Sequence, residues 1–171
     1  VALNHTAGLS LPQQAQMCLF SLAALLDIED RYKLRLREIL RRRLDLLCAG
    51  IGVELTDDPL RAGYYVELDL LLWAERAYNR ELCDFIWANY QPVDFVVRLA
   101  EQESVVLLNG GGFDAPEWSI RISLANLSDD AYERIGHAIA RVAYEYLNEF
   151  EAAGGHLVRD PETEARAYPS S

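Results

Sequence analysis

The stretch Val105-Val-Leu-Leu-Asn-Gly-Gly-Gly-Phe113-Asp-Ala-Pro-Glu-Trp-Ser-Ile-Arg121-Ile-Ser-Leu-Ala125 decides how this chain folds. Ser104–Leu108 is apolar and rich in β-formers, which predicts a strand that stops at Asn109-Gly110-Gly111-Gly112. Trp118–Leu124 predicts a second strand, joined to the first by a glycine-rich loop of about ten residues. Arg121 is the exception inside that second strand, whose other residues are apolar or small. A guanidinium in such a run needs an acceptor, because burying it unpaired is very costly. Two readings stand open. One is a buried salt bridge or a snorkelling edge residue; the other is a fork of donors for a carboxylate ligand, which arginine serves bidentately and lysine does not.

Downstream, Ser128 followed by Asp129 and Asp130 predicts the capped start of a long helix with Ile135, Ile139, Val142, Tyr146 and Phe150 on its apolar face. After Gly154-Gly155 the tail is polar. Upstream, Tyr64, Val66, Leu68 and Leu70 alternate with Tyr65, Glu67 and Asp69, the period of a strand with one buried face. A helix-like stretch with Trp73, Ala77, Leu82, Phe85 and Ile86 follows, broken near Gln91-Pro92, and Val93–Ala100 reads as a further short helix. Asp57-Asp58-Pro59 and Gly63 are turn chemistry. Leu36, Leu40, Leu44 and Leu47 mark an amphipathic helix ending near Gly50, after a bend or restart at Asp27–Asp30. The first helix opens at Ser10, whose hydroxyl can accept from the Gln13 amide while Gln13 reaches back, and Pro12 fits its first turn. Its residues Met17, Leu19, Phe20, Leu22, Leu25 and Leu26 cover nearly every side, so it calls for burial on more than one face. The fold class expected is α/β, in the α+β-like form of helices packed on one face of a small sheet.

With 171 residues, 51% of them hydrophobic and 25% charged, the composition suits one compact domain and excludes wholesale disorder or a collagen-like fibre. Sixteen Lys+Arg against 27 Asp+Glu leave a net charge of −11, which argues against nucleic acid or an anionic membrane as partner. Seven of those 16 basic residues lie between Arg31 and Arg43, as a solvated helix face, as an oligomer contact with an acidic patch elsewhere, or as a nucleic-acid contact. Cys18, Cys48 and Cys83 form no CxxC pair and read as reduced, cytoplasmic thiols. His5, His137 and His156 are too scattered for a metal site. There is no GxSxG elbow, and the Asn109–Gly112 loop lacks the spacing of a phosphate cradle.

The quoted stretch resembles the C-terminal segment of fold-type I, pyridoxal-phosphate-dependent aminotransferases, where the arginine of the second strand holds the substrate α-carboxylate. More narrowly, Asn4-His-Thr-Ala-Gly-Leu-Ser-Leu-Pro-Gln-Gln-Ala-Gln16, Asp58-Pro-Leu-Arg-Ala-Gly-Tyr-Tyr65 and Leu107-Leu-Asn-Gly-Gly-Gly-Phe-Asp-Ala-Pro-Glu-Trp118 resemble the aspartate 4-decarboxylase family. The resemblance implies a lyase that converts L-aspartate to L-alanine and CO2, with an aminotransferase side activity on 2-oxo acids. It also implies a cytoplasmic, dimer-based homo-oligomer with no membrane or nucleic-acid partner. It assigns residues 1–26 to the end of a large cofactor-binding domain, 27–150 to the small C-terminal domain, and 151–171 to a polar tail. Arg121 maps onto the α-carboxylate ligand, and Asn109 lies in the loop near the substrate entrance. The family's Schiff-base lysine has no match: the single lysine, Lys33, sits among Arg31, Arg35 and Arg37. The resemblance therefore implies a C-terminal fragment, inert alone, whose pyridoxal phosphate is bound elsewhere. The alternatives are an ordinary aspartate or aromatic aminotransferase, and a non-enzymatic α/β interaction module.

Overall fold

The computed structural model describes residues 9–55, 61 and 63–157. His5, the Asp57-Asp58-Pro59 turn and most of the polar tail lie outside them. The chain divides into two compact units, residues 1–39 and 40–171, with the division falling inside a helix.

In the first unit, α1 spans Leu11–Leu26 and has no buried residue. Gln13 closes its half of the expected cap, accepting from the Ser10 backbone N–H at 2.9 Å. Both halves of the expected capping box are present, and the Ser10 hydroxyl also donates to the same Gln13 oxygen at 3.1 Å. The restart at 27–30 is real, and Asp27 causes it: its carboxylate accepts from the backbone N–H groups of Arg31 and Tyr32, at 2.9 Å each. There α2 begins, spanning Arg31–Ile51.

In the second unit, a three-stranded antiparallel sheet is ordered β1-β3-β2, with β1 at Tyr65–Asp69, β2 at Leu108–Asn109 and β3 at Ser119–Ser123. The remaining helices are α3 (Leu70–Ala77), α4 (Arg80–Asn89), α5 (Pro92–Glu103) and α6 (Asp129–Ala152). Ile120 and Ile122 of β3 are buried in one core with Leu44 and Leu47 of α2 and Ile139 and Val142 of α6. The expected class, helices on a small sheet, is borne out.

Three expectations shift. The strand expected through Leu70 ends at Asp69, because that side chain accepts from Leu72 N–H and caps α3. The single helix-like stretch up to Gln91 is two helices, since Asn79 accepts from Leu82 N–H at 2.9 Å and starts α4. The strand expected over Ser104–Leu108 shrinks to Leu108–Asn109. Ser104 adopts a left-handed conformation (φ 56°) and Val105 N–H returns to Leu99 O, so this segment spends its backbone closing α5.

The α2–α6 crossing is close enough that only glycine fits at Gly50 and Gly136. A Cβ on Gly136 would lie 2.4 Å from Leu47 O and 2.8 Å from Gly50 Cα. Arg42 and Arg43 of α2 both reach Asp129 in the first turn of α6, so part of the basic run has its acidic partner within this chain. Arg43 also donates to Leu124 O at 2.8 Å.

Behind the sheet, Arg98 pairs with Glu149 at 2.8 Å and lies over the Tyr146 ring, 4.4 Å from its centroid. The Tyr146 hydroxyl is buried with no hydrogen-bond partner among the described residues. An orphaned hydroxyl costs on the order of 1–3 kcal/mol. Tyr146→Phe keeps the ring under Arg98 and removes the orphan, so it is expected to raise stability by about 1 kcal/mol. A urea midpoint at or below that of the wild type would contradict this.

Candidate functional site

Period-2 alternation along β3 puts Ile120 and Ile122 into the core and leaves Arg121 half-buried on the opposite face. β3 is the central strand, so Arg121 has a neighbour on each side: Glu67 opposite it on β1 and Leu108 opposite it on β2.

Two aromatic rings flank the guanidinium. Its carbon lies 4.2 Å from the Tyr65 ring centroid and 4.5 Å from that of Phe113. Tyr65 comes from β1, and Phe113 ends the 3₁₀ turn Gly110–Phe113 that follows β2. Among the described residues the Arg121 side chain makes no ion pair or hydrogen bond, and Glu67 does not close on it despite the register. The buried salt bridge left open by the sequence is absent there. The guanidinium keeps its in-plane N–H donors, which is what a planar carboxylate matches.

Arg121 opens onto a groove of about 630 Å³ between the 103–108 segment, the end of β3 and α6. Two other arginines line it, and both are engaged. Arg134 pairs with Asp130 at 2.7 Å, and Arg141 forks onto Glu103 at 2.7 and 2.5 Å. Hydrogen bonding from Ser128 and Arg134 holds the Asp130 carboxyl below its ordinary value; Arg141 does the same to Glu103. Ser128 thus serves Asp130 and not the helix cap expected of its side chain. Arg121 is the cation of this groove without a counter-ion among the described residues.

Asn109 has a different employment. Its side-chain N–H groups donate to Glu117 O at 2.9 Å and Pro92 O at 3.4 Å, and its oxygen accepts from Gly111 N–H at 2.9 Å. The side chain knots the loop to the start of α5 and to the approach to β3. Beneath it, Gly110 packs on Ser119, where an added Cβ would fall 1.9 Å from the hydroxyl oxygen. Tyr65 and Phe113 escaped the sequence reading. The readable signal was a ring at the β1 position that antiparallel pairing brings beside Arg121.

Cys48, Cys83 and Lys33 are poorly placed for covalent chemistry. Burial, aided by Asp45, pushes the Cys48 thiol up to about 11, and burial also raises Cys83, so neither is a ready thiolate. Lys33 is 58% exposed and 3.6 Å from Asp30. A solvated, ion-paired ammonium does not fit an aldehyde-binding lysine, which needs desolvation to become nucleophilic. Among the described residues no three His, Cys, Asp or Glu side chains converge as a metal site, and no helix is long and apolar enough to cross a membrane.

No family model matches the chain. Among curated proteins it is similar to a bifunctional aspartate aminotransferase and L-aspartate beta-decarboxylase of Pseudomonas sp, with 41% identity over 154 residues. That alignment covers 90% of this chain and 29% of the relative, so the chain spans under a third of the relative's length. The resemblance drawn from the three motifs is borne out.

Proposed function

We propose that this chain is the substrate-carboxylate-holding part of an aspartate β-decarboxylase with aminotransferase side activity, as the Pseudomonas relative's name describes for that protein. The observation that carries the reading is the Arg121 guanidinium, flanked by two rings and without an acidic partner among the described residues. Arg121 takes the α-carboxylate of L-aspartate or of a 2-oxo acid through paired N–H donors. The reaction requires one carboxylate to stay and the other to leave. The Cβ–carboxylate bond breaks, CO2 departs, and Cβ gains a proton to give L-alanine. Gripping the α-carboxylate fixes the rotation about Cα and so the direction of the breaking bond.

Pyridoxal phosphate would supply the electron sink when bound. No lysine of this chain fits its attachment, so in our reading the cofactor is held by residues outside these 171, and the chain alone is inert. Residues 1–26 then close the large domain, 27–150 form the small domain and 151–171 a tail, in a cytoplasmic, dimer-based oligomer. Incubating a cofactor-loaded polypeptide of the relative's length that contains this chain with L-aspartate should release alanine and CO2 in equal amounts. Oxaloacetate formed only when a 2-oxo acid is added, with no CO2, would identify an ordinary aminotransferase. No turnover under either condition would favour the interaction module.

A further inference from the structure

We infer that Tyr65 and Phe113 are positioning residues that set the plane of the Arg121 guanidinium for its carboxylate. The inference rests on the carboxylate reading above and adds residues for which the motifs gave no role. An arginine on an open strand face has four freely rotating side-chain bonds, and its usual restraint is a carboxylate partner. Here that restraint is absent: the Arg121 side chain makes no ion pair or hydrogen bond among the described residues, and Glu67 stays away. What remains is stacking. The Tyr65 ring approaches from the β1 side at 4.2 Å, and the Phe113 ring from the loop beyond β2 at 4.5 Å.

A flat cation over aromatic faces is attracted by their quadrupoles while its edge stays free. An acidic partner would instead have occupied the same N–H groups that the ligand needs. Rings therefore orient the cation without competing for its donors. Neither ring is explained by core packing, since Tyr65 is 59% and Phe113 48% exposed. The face of each ring is what matters, so the Tyr65 hydroxyl is dispensable.

The test compares Tyr65→Leu, Phe113→Leu, Tyr65→Phe and Arg121→Lys. In the cofactor-loaded polypeptide of the relative's length, each Leu variant should raise KM for L-aspartate about tenfold with a smaller fall in kcat, while Tyr65→Phe stays within about twofold of wild type. In the 171-residue chain, NMR of the Arg121 Nε–Hε group should show slow guanidinium rotation in wild type and Tyr65→Phe, and fast rotation in both Leu variants. Melting temperatures should differ little, because both rings are exposed. Leu variants with wild-type KM, or with Arg121 still slow, would overturn the inference; a damaging Arg121→Lys in the same series would leave the carboxylate reading intact. An Arg121→Lys enzyme with unchanged KM would remove that reading, and the positioning role with it.

Discussion

Under the proposed function, Arg121→Lys is expected to lower kcat/KM for L-aspartate by about 10²–10⁴-fold in the cofactor-loaded polypeptide of the relative's length, with both KM and kcat affected. The charge is kept, but the planar fork is lost, and an ammonium cannot make two parallel bonds to one carboxylate. The substrate then binds more weakly and rotates about Cα, so the Cβ–carboxylate bond spends less time in the orientation from which it breaks. Stability should hardly move, because the side chain is only half-buried and has no ion pair to lose among the described residues. The absorbance of the resting cofactor should also stay put if its ligands lie elsewhere. A destabilised variant with normal kinetics would sink the assignment. Measuring kcat/KM and the melting temperature on one preparation decides between them.

The second large effect concerns stability alone. Helix propensity by itself says that Gly136→Ala in mid-α6 should help by about 1 kcal/mol. The crossing with α2 reverses the sign, because the new methyl would sit 2.4 Å from Leu47 O and 2.8 Å from Gly50 Cα. Both obstacles are backbone, so no side-chain rotation relieves them, and the two helices must separate. Separation loosens Leu44, Leu47, Ile139 and Val142 together, and about 3 kcal/mol of destabilisation is expected. Gly50→Ala should behave alike, since its Cβ meets Glu133 O at 2.4 Å. Gly112→Ala is the control, with nothing within 4 Å of the added methyl. Chemical denaturation of the three variants checks this; a Gly136→Ala midpoint near that of Gly112→Ala would contradict it.

The helices around the sheet could be read from the sequence wherever a period was long, as for Leu40–Leu47 and Ile135–Phe150. Short elements were harder, because there local hydrogen bonds override periodicity. Asp69 and Asn79 each look like an ordinary polar residue in a continuing pattern, yet each carboxylate or amide oxygen starts a new helix. Val105 to Leu107 has strand composition, but the left-handed Ser104 commits that backbone to the end of α5. The site was legible in one respect: Arg121 stands out as the charged exception in an otherwise apolar or small strand. Its ring partners were not, because Tyr65 is 56 residues from Arg121 along the chain and only the pairing register joins them.

The knot tied by Asn109 has a consequence for how a ligand would be received. Its amide bonds to Glu117 O, Pro92 O and Gly111 N–H anchor the glycine turn that ends in Phe113. Three consecutive glycines would otherwise give this segment more conformational freedom than any other residues could. Part of that freedom is surrendered when the domain folds, so under the proposed function an arriving carboxylate would have less of the loop to freeze. The entropic penalty of association is correspondingly smaller, which is the advantage of a preorganised site over one assembled on demand.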